Sequence, residues 1–331
     1  MKTVLLATTG MSPAVLTETV WALARENPAV VPDEVYVVTT VSGAAKLKEQ
    51  LFGADAVWET LRKNILGKKA GCDNRLVFDP ADIVVARKKL GGKKIALDAL
   101  ADVADHTAFA DTLCSKLWEF TSQPGTRVIA SLAGGYKTMS ALMLSAMQLL
   151  ANDGDRCTHV LVSGGLDAPG LGFFFPTTKA QAGCVQLIDI PLIPLRRWFD
   201  RHLGHKPPPS YADLVARADS ATRPSLEIGP YPAFAINGAR QKLARRPYTY
   251  MRFFAECAKE GRMPFTGLDD IATALAVWEP RDFNLADLDP SAYKMNKHLS
   301  ELRKKLPALA PFLPRRGCWK LDLPPAAITL R

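Results

Sequence analysis

Short apolar runs alternate with longer amphipathic ones through the first two hundred positions. Residues 3–8 are apolar and end before Gly10, a pattern that predicts a buried strand. A helix is expected from residue 13 to about 25, because Ser12 suits an N-cap and Pro13 the first turn, where a missing N–H costs nothing. Residues 34–40 predict a second strand, 44–52 a helix, and 83–86 a third, shorter strand. The stretch 95–121 reads as mostly helical. Residues 127–131 predict a strand, which the Ala133-Gly134-Gly135 turn follows, and a helix is expected over 136–152. Residues 158–163 and 185–190 complete the strands. Apolar strands alternating with helices argue for an α/β domain over 1–205, built on a mostly parallel sheet covered on both faces.

The pattern changes after residue 205. Pro207-Pro208-Pro209-Ser210 opens a stretch rich in proline, glycine and polar residues, so 206–246 is expected as a linker or irregular connection. Beyond it, 247–331 carries a compact helical pattern. A helix over 248–259 puts Met251, Phe254, Ala255 and Ala258 on one stripe, and 268–277 predicts a second. Asp289-Pro290 suits the start of a third, with Met295, Leu299, Leu302 and Leu306 on its inner face. Lys294, Lys297, His298, Arg303, Lys304 and Lys305 crowd the rest of that helix. Arg315-Arg316-Gly317 reads as a turn between short strands at 311–313 and 319–323. Three helices and a hairpin make a small winged helix-turn-helix domain, with the third helix in the recognition position.

Composition narrows the class. Of the 331 residues, 48% are apolar and 23% charged, which excludes a disordered or fibrous chain. No apolar stretch approaches the length of a transmembrane helix. The apolar start could pass for a weak signal peptide, but Thr8-Thr9-Gly10 cuts it short, and a cytoplasmic protein is expected. The cysteines, at 72, 114, 157, 184, 257 and 318, include no CxxC pair, which suggests reduced thiols. The net charge of +9 is uneven. Residues 1–205 carry 22 basic and 20 acidic side chains, hence +2, while 206–331 carry 20 and 13, hence +7. That excess points to an anionic partner for the C-terminal part, with a solvated basic surface as the alternative.

In an open parallel sheet, ligands bind beyond the carboxyl ends of the strands. That rule singles out two strand–turn–helix junctions, 8–13 (Thr-Thr-Gly-Met-Ser-Pro) and 131–140, which runs from Ser131 through Gly134, Gly135, Tyr136, Lys137 and Thr138 to Ser140. Both would aim free N–H groups at an anion, phosphate most obviously. Lys137, within one turn of the glycine pair, is placed to neutralise a phosphate oxygen, so its natural role is electrostatic stabilisation. The alternative is a tight turn beside a solvated lysine. Neither junction matches a nucleotide fingerprint, and no cofactor is expected.

Other candidates are weaker. Ser163-Gly164-Gly165 follows a strand and would add to the rim. Arg87-Lys88-Lys89 and Lys93-Lys94, around Gly91-Gly92, form a basic loop that would cover an anionic ligand or stay solvated. Asp98, Asp102, Asp105 and His106 read as an acidic solvent face, and no metal site is expected. Phe173-Phe174-Phe175 reads as core. Arg197 and His202 fit the R-x4-H spacing of HEPN ribonucleases, a third functional possibility.

The run Ala7-Thr8-Thr9-Gly10-Met11-Ser12-Pro13-Ala14-Val15-Leu16-Thr17-Glu18-Thr19, combined with Ala133-Gly134-Gly135-Tyr136-Lys137-Thr138-Met139-Ser140, resembles the CARF-domain ring nucleases of type III CRISPR systems. The resemblance covers roughly 1–205. It implies a Rossmann-like fold, a homodimer that binds cyclic oligoadenylate across its two-fold axis, and metal-free cleavage of that second messenger, which switches off antiviral signalling. By position it makes Lys137 and Ser12 the catalytic residues, with Thr9, Gly10, Met11, Gly134, Gly135, Tyr136, Thr138, Ser163 and Arg87 expected at the ligand, probed first as cyclic tetra-adenylate. The C-terminal part would then be a dimerisation or nucleic-acid module. The rival reading is a sensor whose winged helix binds DNA under ligand control, without turnover.

Overall fold

The structure is a computed structural model that describes residues 1–67, 70–71, 73–168, 170–196, 207–278, 292–316 and 318–331, with 220–222 and 292–294 described by backbone alone. The chain divides into two compact units, Met1–Ala218 and Asp219–Arg331.

The first unit is built on a six-stranded sheet. Its strands are β1 (Lys2–Thr8), β2 (Glu34–Thr39), β3 (Ile83–Val85), β6 (Thr126–Ser131), β7 (Arg156–Val162) and β8 (Val185–Ile190), in the order β3-β2-β1-β6-β7-β8. All neighbours pair parallel except β7 and β8. Val4, Leu5, Leu6 and Ala7 of β1 are all buried, because helices cover both faces and no side of a central strand meets water. The helices are α1 (Ala14–Leu23), α2 (Val41–Phe52), α3 (Val57–Leu66), α4 (Val103–Thr121), α5 (Lys137–Leu150), the short α6 (Lys179–Ala182) and α7 (Tyr211–Thr222). Leu5, Leu16, Val20, Val35, Leu47, Trp58 and Leu61 pack one face of the core. The expected Rossmann-like, mostly parallel architecture is observed.

Several local expectations are corrected. Ser12 does not cap α1: Pro13 occupies the cap position and no side chain bonds the free N–H groups. Helix α2 starts at Val41, where Thr40 accepts from the Gly43 N–H at 3.3 Å. Helix α3 was not anticipated. The basic loop is a hairpin, β4 (Arg87–Leu90) against β5 (Lys93–Ala96), so the helix expected from residue 95 begins only at Val103. Gly91 and Gly92 both have positive φ, 55° and 79°, the backbone that a two-residue hairpin turn demands. Asp102 then caps α4, accepting from the Asp105 N–H at 2.7 Å.

The stretch expected as an irregular connection, 206–246, carries α7 and three strands, β9 (Leu226–Ile228), β10 (Phe234–Ile236) and β11 (Ala239–Arg240). With β12 (Ile328–Leu330) they form a sheet in the order β11-β10-β9-β12. The second unit also holds α8 (Arg245–Lys259), α9 (Leu268–Ala276) and α10 (Ala292–Lys305). Tyr248, Met251, Phe254, Ile271, Met295, Leu299 and Leu302 close its core. Phe265, between α8 and α9, bridges antiparallel to Trp319, and Arg315 bridges Cys318. The three helices of the expected winged helix-turn-helix are present, but the strand expected at 319–323 is reduced to the isolated bridge of Trp319 with Phe265. Residues 311–313, expected as a strand, lie in and beside the 3-10 turn Ala310–Phe312. The Asp289-Pro290 start, Gly317, and the Arg197 and His202 pair lie outside the described residues. Among the described residues no helix is long and apolar enough to cross a membrane.

Candidate ligand-binding cleft

The chain lays β1, β2 and β3 outward on one side of the sheet, then returns to the centre and lays β6 and β7 on the other. The strand order therefore reverses between β1 and β6, and the turns after these neighbours flank the reversal point, where open α/β sheets hold ligands. The two sequence motifs are those turns, and they touch. A Cβ on Gly10 would stand 3.0 Å from the Gly135 Cα, and one on Gly134 would stand 3.1 Å from the Thr8 carbonyl oxygen. Gly134 and Gly135 have φ of 127° and 78°, which L side chains rarely adopt. A third turn joins them: Thr39 Oγ1 donates to the Thr9 carbonyl at 2.6 Å.

Beside this junction opens a cleft of about 1280 Å³. Gly10, Met11, Ser12, Gly135 and Tyr136 line it, as expected from the sequence. Ser12, Met11 and Tyr136 are exposed. Thr9 is fully buried, and its hydroxyl donates to the Ser12 carbonyl at 3.2 Å, so it shapes the turn from beneath. Lys137 is the first residue of α5, next to Tyr136; it is exposed and has no ion pair among the described residues. Neither α1 nor α5 is capped by a side chain; the Leu16 and Met139 N–H groups turn back onto the Pro13 and Tyr136 carbonyls, leaving the first two N–H groups of each helix without a partner among the described residues. Thr138 lies 3.0 Å from His106 Nε2. Ser163 donates through Oγ to the Cys184 carbonyl at 3.2 Å. Arg87 lies on the exposed hairpin. Gly134, Lys137, Thr138, Ser163 and Arg87 do not line the cleft.

The sequence reading missed the acidic character of the lining. Glu18, Glu49, Asp55, Asp98 and Asp167 contribute carboxylates, and no lysine, arginine or histidine is among the described lining residues. Glu18 is only 4% exposed. Burial, with Asp167 nearby, pushes its carboxyl up to about 7. The Phe173-Phe174-Phe175 run, expected as core, divides: Phe175 is buried among the core residues, while Phe173 and Phe174 are half-buried walls of the cleft. Helical spacing carries the one signal that might have revealed Glu18, because Ala14, Val15 and Glu18 share a face of α1.

The expected acidic solvent face divides: Asp98 lines the cleft, Asp102 caps α4, and Asp105 is buried in its first turn. Asp105 is buried and accepts from Lys88 Nζ at 2.7 Å and from the Ala101 N–H at 3.0 Å. The Lys88 hydrogen bond, with those backbone bonds, holds its carboxyl below the usual aspartate range. Among the described residues no group of three or more histidine, cysteine or carboxylate side chains could hold a metal ion.

The order of its mostly parallel sheet, with helices on both faces, makes the first unit a Rossmann-like α/β domain. The family model of CRISPR-associated protein NE0113 matches residues 12–219, well over half of the chain, and the chain belongs to that family. The CRISPR association implied by the sequence resemblance is thereby borne out. No curated protein matches. Among solved structures, the chain is similar to Enterococcus italicus Csm6 bound to cyclic hexa-2′-fluoro-hexa-dAMP, at 12% identity and a TM-score of 0.28. The match covers 96% of this chain and 58% of that one.

Proposed function

We propose that the first unit binds cyclic oligoadenylate across a homodimer and opens the ring by metal-independent attack of a 2′-hydroxyl on the adjacent phosphorus. The observation that carries this reading is the backbone contact of Gly10 with Gly135, which gathers two uncapped helix starts and the exposed Lys137 at one place. An RNA linkage brings its own nucleophile. The protein then has to hold that hydroxyl in line and stabilise the charge that develops on the phosphoryl oxygens. Lys137 supplies the positive charge, and Ser12 orients the ribose or phosphate. The products are linear adenylates ending in a 2′,3′-cyclic phosphate. A ring with two-fold symmetry, such as the tetra-adenylate, meets the same patch twice in a two-fold dimer, one Lys137 and one Ser12 near each of two opposite phosphates. The decisive test is incubation with cyclic tetra- and hexa-adenylate in EDTA, with products resolved by chromatography. Intact rings after long incubation at high protein concentration would overturn the ring-opening reading.

A second reading is a cyclic-oligoadenylate-controlled DNA-binding regulator. The cationic face of the second unit favours it: Lys297, Lys304 and Lys305 on α10 and Arg315 and Arg316 beyond it are all exposed. Duplex binding across a salt series, with and without the ring, separates the two. Sequence-independent attachment weakens steeply with salt, whereas a regulator shows ligand-dependent, sequence-specific binding.

A further inference from the structure

The cleft lining is acidic and in part aromatic. Its lining carries five carboxylates and no cation among the described residues, so a phosphate entering it would meet like charge on several sides. The start of α1, with Ser12, Ala14 and Val15, forms one wall of the cleft, while Lys137 at the start of α5 lies outside the lining. An uncharged base has no such barrier. Phe173, Phe174, Tyr136 and Met11 offer it apolar surface.

At this site Glu18 presents an unsolved problem. Glu18 as a residue is 4% exposed, lines the cleft, and makes no hydrogen bond or ion pair among the described residues, so its carboxyl meets the cleft and no protein partner. A carboxyl in a largely desolvated wall is poorly served by water, and a ligand that supplies both a donor and an acceptor can pair with it. A neutral carboxyl offers one donor and one acceptor side by side. The 6-amino group of adenine and the ring nitrogen beside it offer the complementary donor and acceptor, the same edge that glutamine and asparagine side chains grip with two bonds.

We propose that Glu18 binds the adenine edge as a neutral acid, donating its proton to a ring nitrogen while its carbonyl oxygen accepts from the 6-amino group. The inference rests on the ring-binding reading above and assigns the base-reading residue of that site. Burial and the nearby Asp167 favour this protonation state, holding the carboxyl at about 7. The other titratable groups facing the cleft are Glu49 and Asp55 in and after α2, Asp98 before α4, Asp167 after β7, and Tyr136 at the start of α5. His106, on α4, reaches the rim through Thr138.

The test measures binding of 2′-fluoro cyclic tetra- and hexa-adenylate, which lack the attacking hydroxyl, to the full chain by calorimetry at pH 6 and pH 8. The wild-type affinity should fall about tenfold between these values, because the neutral fraction of an acid with its midpoint at about 7 falls by that factor. Glu18→Gln, whose amide presents the same donor and acceptor at any pH, should bind with near wild-type affinity at pH 6 and show no fall at pH 8. Glu18→Ala should lose about 10- to 100-fold at pH 6. Wild-type affinity that does not fall, a Glu18→Gln variant as weak as Glu18→Ala, or a pH dependence that survives in Glu18→Gln and so belongs to His106 or another group, overturns this inference alone. If the wild type binds neither ring at either pH, the ring-binding reading falls and takes this inference with it. The wild-type pH comparison stands even if a variant fails to fold.

Discussion

Gly10 and Gly135 meet so closely that a Cβ on the former would stand 3.0 Å from the Cα of the latter. Two turns separated by more than a hundred residues thus form one surface, and their glycines permit it. At Gly134 a Cβ would come within 2.7 Å of Val15 Cγ2 and 3.1 Å of the Thr8 carbonyl oxygen, on a backbone of φ 127°. Gly134→Ala should cost about 1–3 kcal/mol of stability through backbone strain and part the two turns. Thermal unfolding and ring binding should fall together; a variant with wild-type values in both would show that this contact does not hold the site.

Lys137→Ala should lower ring opening by about a hundred- to a thousandfold, the usual effect of removing one donor from a developing oxyanion, while binding remains measurable. Ser12→Ala should slow opening less. Single-turnover rates and equilibrium binding of the same variants separate the two effects. Loss of binding equal to loss of rate for Lys137→Ala would make it a ground-state contact.

The hairpin is tied to α4 by Lys88 and Asp105, 2.7 Å apart, with Asp105 buried. Because its folded-state carboxyl lies below the ordinary aspartate range, the bond contributes stability above the unfolded value of about 3.9, and that stability is lost as pH falls through the folded value. Lys88→Met should therefore flatten the acid limb of the unfolding midpoint against pH, and it should lower stability at neutral pH by leaving Asp105 uncompensated. An unchanged acid limb would refute the tie.

In the second unit, Glu256 accepts from Trp278 Nε1 at 2.7 Å and from Arg252 Nε at 3.0 Å, joining α8 to the end of α9. Glu256→Ala should destabilise this unit by about 1–3 kcal/mol, because the Trp278 indole loses its acceptor and the Arg252 guanidinium, which keeps the Gly229 carbonyl at 3.2 Å, loses its charged one. Chemical denaturation of the variant beside the wild type, followed by far-UV circular dichroism, reads the change, and a midpoint equal to the wild type would count against the bridge.

What the sequence revealed was mostly local. Parallel strands buried on both faces announce themselves as apolar runs, so β1, β2, β6 and β7 fell within a residue or two of expectation. The glycine turns carried the two motifs that the fold brings into contact. Long-range pairing left no local trace. β12 joins β9 from about a hundred residues away, and so 206–246 looked like a connection. The hairpin was hidden because Lys-Lys-Ile-Ala suits a helix as well as a strand, and only the positive φ at Gly91 and Gly92 decides it. Glu18 was hidden because one carboxylate in an apolar helix gives no sign of whether it faces water or a cleft.

The reversal of β8 has a consequence for access. Five strands climb toward the turns that frame the cleft, and the sixth descends, so the polypeptide finishes its passage through the sheet at the opposite end, at Ile190. The rim is made of turns and loops, and a visitor can settle there without any strand having to unzip.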